Sequence, residues 1–154
     1  MANAIQVSNP THISIDISTA FLSVLHLKAE LENEFNNAVQ IASLNGLTPA
    51  KTNEITQLRK LTGRAVESVV SIYSMQFESD LKDKVLTGID QLSREGNLNF
   101  YSETCAQALN EASSRARLSK NLNDEEKGFF ISALENVAMY HNHLVSMVAD
   151  TVRL

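Results

Sequence analysis

Residues 48–96 read TPAKTNEITQLRKLTGRAVESVVSIYSMQFESDLKDKVLTGIDQLSREG, and the folding of this stretch decides the architecture. Thr48 and Pro49 open it. A threonine hydroxyl caps the first free N–H groups of a helix. Proline fits the first helical position, where its missing N–H costs nothing. Ile55, Leu58, Thr62, Val66, Val70, Tyr73, Phe77, Leu81, Val85, Ile89 and Leu92 then recur at steps of three and four without a change of phase. That spacing lays them on one side of an α-helix. No proline interrupts the run, and Gly96 reads as its stop. The stretch is therefore predicted to form one long central helix, roughly 65–70 Å by the usual helical rise. If it divides, the polar run Glu78-Ser79-Asp80 is the expected place. Ala65, Val66, Val69, Val70, Ile72 and Tyr73 cover a wide arc, as a helix with neighbours on several sides needs. Gly63 and Gly88 each cost about 1 kcal/mol relative to alanine inside a helix. Close helix packing is the plain explanation for them, and a hinge is the sharper one.

The flanking segments are helical by the same criteria. Asn45-Gly46 reads as the end of a preceding helix, with Gly46 taking a positive φ. That first helix is predicted over residues 18–44. Phe21, Val24, Leu31, Phe35, Ala38 and Ala42 follow a heptad, and Lys28 occupies its missing position. A lysine there can carry its charge out to water on its long stem. A third helix is predicted over residues 99–120, with a stripe of Tyr101, Cys105, Ala108, Leu109, Ala112 and Ala116. Small residues bury little area, so this is the weakest helix in hydrophobic drive. The last helix opens with Asn123 as cap and Glu126 three positions on, a variant of the capping box. Asp124, Glu125 and Glu126 also suit the positive end of its dipole. Ile131, Leu134, Ala138, His141, Val145, Val148 and Val152 give its stripe, widened by Phe130, Val137 and Leu144.

Residues 1–16 read differently. Ile13, Ile15 and Ile17 alternate with Ser14 and Asp16, a strand pattern. Two strands alone are marginal in water. An extended N-terminal arm lying on the bundle is the expectation, with a helix starting at Asn9-Pro10 as the competing reading. The domain organisation is thus an arm over residues 1–16 and a helical bundle over residues 17–154. The fold class is all-α: an elongated bundle of four main helices.

Composition bounds the function. The chain has 154 residues with 44% apolar and 20% charged, ordinary for one soluble domain with a real core. A net charge of −5 argues against general nucleic-acid binding, because phosphate contacts need a basic surface. The one cysteine, Cys105, permits no internal disulfide. No apolar run approaches the length of a membrane span, and no basic-then-apolar leader opens the sequence. A soluble, cytoplasmic protein is expected, with export by a route lacking a cleaved signal as the alternative.

Motifs for chemistry are scarce. His26, Glu30 and Glu34 share one helix face at metal-ligand spacing, but no Glu-x-x-His pair exists to complete a bundle site. No metal or cofactor is expected. Cys105 lies on an alanine-rich stripe and reads as a small core residue. His141 lies on the apolar heptad of the last helix and reads as a buried core or interface residue, whereas His143 points elsewhere. His26-Leu27-Lys28-Ala29 resembles the histidine phosphotransfer bundles, which carry an exposed helical His followed by Lys and a small residue. It departs from that pattern: the Lys comes one position early, and no Gly follows.

The expected function is a non-enzymatic helical protein–protein interaction or assembly module, homo-oligomeric. Its interface is expected to use Ile13, Ile15, Ile17, Val66, Val70, Tyr73, Phe77 and His141. Two alternatives are a helical sensor holding a small apolar ligand in the bundle, and a phosphotransfer-like module using His26.

Overall fold

The computed structural model describes the backbone of residues 9–81 and 88–152, and the side chains of residues 23–75 and 93–149. Four helices follow in order: α1 (Asn9–Leu44), α2 (Pro49–Leu81), α3 (Gly88–Leu118) and α4 (Asp124–Val152). No strand occurs among the described residues.

Cross-helix contacts fix the topology. Lys28 pairs with Glu67 and Asn36 with Arg59, so α1 and α2 are antiparallel. Met75 meets Arg94 and Glu54 meets Arg115, so α2 and α3 are too. Ser102 meets His141 across α3 and α4, and Phe35 meets Phe130 across α1 and α4. The result is an up-down-up-down four-helix bundle. Its cross-section is a rhombus. α2 and α4 touch across the short diagonal, and α1 and α3 do not meet among the described residues. A helix in contact with three others needs a wide apolar arc, which is why Leu61, Ala65, Val66, Val69 and Ile72 are all buried on α2. The core is completed by Leu31, Phe35 and Ala42 from α1, Cys105, Ala108 and Ala112 from α3, and Phe130, Leu134, Val137 and Val148 from α4.

Residues 48–96 do not form the single long helix that their unbroken phase predicts. On one straight helix, Met75 and Arg94 would stand roughly 28 Å apart. Instead the Arg94 guanidinium donates to the Met75 carbonyl oxygen at 3.1 Å. The stretch is doubled back on itself, and its limbs are α2 and α3. Among the described residues the longest helix is α1, with 36 residues against 33 in α2. The described part of α2 runs through the polar residues 78–80 to Leu81. Gly96 is not a stop but lies inside α3, held there by its buried neighbours Arg94 and Leu98. Tertiary packing overrides the roughly 1 kcal/mol helix penalty of that glycine.

Residues 9–16 follow the competing reading, a helix starting at Asn9-Pro10, rather than the extended arm, and they are the first turns of α1. A helix pairs the backbone N–H groups within the segment, whereas a lone extended arm leaves them seeking partners. Residues 1–8 lie outside the described part.

The helix ends follow the sequence closely. Gly46 has φ 95° and its N–H returns to the Ser43 carbonyl, closing α1. The Lys51 N–H donates to Thr48 Oγ1 at 3.1 Å, so Thr48 caps α2. At α4 the capping box is complete: the Glu126 N–H donates to Asn123 Oδ1, and the Asn123 N–H donates to Glu126 Oε1.

Candidate functional site

Polar groups gather at several places among the described residues, and three of them bear on function. The first is the end of the bundle where α1 meets α2 and α3 meets α4. Lys51 Nζ lies 2.6 Å from Glu126 Oε2 and also donates to the Ala42 and Gly46 carbonyl oxygens. Asn45 Nδ2 donates to the same Glu126 oxygen at 2.9 Å. Burial pushes the Glu126 pKa up, but the Lys51 ammonium, the Asn123 N–H and the Asn45 amide outweigh it, and the net shift is downward. All the partners are internal, so the cluster locks the end of the bundle and offers no open valence. The sequence did carry a signal for it. Lys51 puts a cation in the first turn of α2, against the helix dipole, and such a violation implies a partner elsewhere.

The second place joins α3 to α4. His141 is buried, with Nε2 3.1 Å from Ser102 Oγ and Nδ1 3.3 Å from Asn142 Oδ1. A carboxamide oxygen only accepts, so the proton sits on Nδ1, and Nε2 accepts from the Ser102 hydroxyl. Burial pulls the imidazole pKa below its ordinary value, and the Asn142 bond offsets this only in part. The pair has the reach of a nucleophile and its base. Both residues lie inside helices, though, where backbone N–H groups are already bonded and cannot stabilise an oxyanion. It reads as a satisfied buried histidine that ties two helices together.

The third place is a cleft on the α1–α2 seam of about 160 Å³. Arg59 lies along it, its guanidinium carbon 5.1 Å from the centre of the Phe35 ring and its Nη1 donating to Asn36 Oδ1. Thr62 stands in its wall, buried, with a hydroxyl that has no partner.

Of the residues named from sequence as an interface, Val66, Val70, Tyr73 and His141 have described side chains. Val66 and His141 are enclosed by the chain's own helices, and Val70 and Tyr73 are half-buried against the core. The side chains of Ile13, Ile15, Ile17 and Phe77 lie outside the described ones. His26 is exposed on α1. Lys28 reaches out of its seam to Glu67 at 2.9 Å. Cys105 is fully buried, and burial pushes its thiol up to about 12. Sequence periodicity did not reveal which apolar residues stay outside: Leu44, Leu47, Phe100, Leu118, Phe129 and Met139 are exposed.

Among the described residues, no three His, Cys, Asp or Glu side chains are grouped to hold a metal ion, and no helix is long and apolar enough to cross a membrane. No family model, curated protein or solved structure compared with the chain matches it.

Proposed function

We propose that this chain is a non-enzymatic helical interaction module that assembles with a protein partner, in the first instance another copy of itself. The observation that supports the reading is the end of the bundle locked by Lys51 and Glu126. There the last residue of α1, the α1–α2 turn and the last residue of α3 expose Leu44, Leu47 and Leu118 by 86, 53 and 79%. Fully covering one leucine is worth about 1.5–3 kcal/mol. A pre-ordered end also loses little entropy when a partner binds, so more of that gain survives as affinity. The groove between α1 and α4 continues the surface, with Ala38, Ile41 and Phe129 along it.

Light-scattering mass over a range of concentrations tests the reading, on the full chain and on Leu44→Glu and Leu118→Glu. The expected result is a mass above that of one chain, falling toward it in the variants. A full chain that stays monomeric at every concentration ends the self-assembly form of the proposal. A mass that the two variants leave unchanged moves the interface away from this end.

A further inference from the structure

The α1–α2 seam has a repeat of four residues. Lys28 Nζ lies 2.9 Å from Glu67 Oε1, and two turns along, Arg59 Nη1 donates to Asn36 Oδ1 at 3.1 Å. The antiparallel register sets Glu32 opposite Gly63 midway between them. Glycine brings no side chain to that position. The seam therefore has a polar clasp at either side and a gap between, and the gap is the cleft of about 160 Å³.

Several features of the cleft lack an internal explanation. Gly63 is not there for close packing, because a Cβ added to it meets nothing within 4 Å. A glycine inside a helix is destabilising relative to alanine, so the space is kept open against local preference. The Thr62 hydroxyl is buried in the wall without a partner. Glu32 makes no hydrogen bond or ion pair among the described residues, though its charge acts on Lys28 one turn back. Arg59, by contrast, is pre-positioned: Phe35 and Asn36 hold its planar fork, and its remaining N–H groups stay available.

We infer that this cleft binds a free α-amino acid with a small aliphatic side chain. A carboxylate alone would meet Glu32, and an amine alone would meet Arg59. A zwitterion uses both, its carboxylate on Arg59 and its ammonium on Glu32. Thr62 stands three residues from Arg59 and lines the same cleft. The side chain lies over Gly63 against Phe35 and Val66. A small aliphatic side chain such as that of valine or leucine matches a cleft of about 160 Å³. The site is separate from the exposed leucines of the assembly reading and stands or falls without them.

Amide chemical-shift titration of the full chain with leucine is the test. N-acetyl-leucine and leucinamide, each lacking one charge, are the comparison ligands. Leucine is expected to shift amides of residues 32–36 and 59–66 and to saturate in the millimolar range. Either comparison ligand, or Arg59→Met, or Glu32→Gln, is expected to weaken binding by about tenfold or more. Gly63→Leu fills the gap and is expected to abolish binding, with the amide spectrum reporting that the variant is folded. The proposal is overturned by an absence of shifts at about 20 mM leucine, well above the millimolar Kd a ligand this small supports. It is equally overturned if all three ligands bind alike, or if folded Gly63→Leu binds as the parent does.

Discussion

Lys51 Nζ and Glu126 Oε2 meet at 2.6 Å, with only 7% and 2% of the two side chains exposed. They belong to the first turns of α2 and α4, the two helices on the short diagonal of the bundle. The pair replaces water with a full set of internal partners, so its removal is asymmetric. Taking away one member strands the other charge in the interior, which costs about 3–5 kcal/mol. Taking away both leaves nothing stranded. Lys51→Met and Glu126→Leu should each lower the urea midpoint strongly, and the double variant should recover most of the loss. Additive losses would show that the two residues do not act as a pair.

The same pair sets an acid limit. The Glu126 pKa is depressed in the folded chain. Above the ordinary glutamate value of about 4.3 its contribution is fully present, and it is lost as pH falls through the lower folded value. Stability of the parent should therefore drop below about pH 4.3 more steeply than that of Glu126→Gln. Parallel curves would remove Glu126 from the acid response.

His141 acts in a different window. Its folded pKa lies below the ordinary histidine value of about 6.5, so between the two the unfolded chain binds more protons. Stability should decline as pH falls from about 6.5 toward the folded value and be flat above it. His141→Gln should remove the slope. His141→Asp, which buries an unpaired charge, should cost about 2–4 kcal/mol, and exposed His143→Asp no more than about 0.5. Equal effects at the two positions would contradict the observed helix face.

The glycines divide by backbone and space. Gly63, Gly96 and Gly128 lie inside helices with nothing near an added Cβ. Each should gain about 0.5–1 kcal/mol as alanine, read as a higher melting temperature. Gly46 sits at φ 95°, where alanine is strained, and Gly46→Ala should lose about 1 kcal/mol. A stabilised Gly46→Ala would mean that the α1–α2 turn is not closed as described.

Cys105 should be inert in the folded protein. Burial removes it from solvent and raises its thiol to about 12, so the reactive thiolate is scarce. A disulfide reagent should label it at the rate of unfolding and quickly only in denaturant. Rapid labelling under native conditions would place it at the surface.

What the sequence determined by itself is local. Thr48-Pro49, Asn45-Gly46 and Asn123 with Glu126 mark helix ends through bonds within a few residues, and the structure forms those bonds. The spacing of Leu31, Phe35, Ala38 and Ala42, and of Cys105, Ala108, Ala112 and Ala116, names a buried face for the same reason. Tertiary structure alone decided the rest. Periodicity has no direction, so a stripe running in phase through two limbs looks the same straight or doubled back. Contacts between the limbs, such as that of Arg94 with Met75, distinguish them. Lys51 finds Glu126 across 75 residues, and Glu32 faces Gly63 only once two helices are set side by side. Those pairings depend on distance in space, which no local pattern encodes.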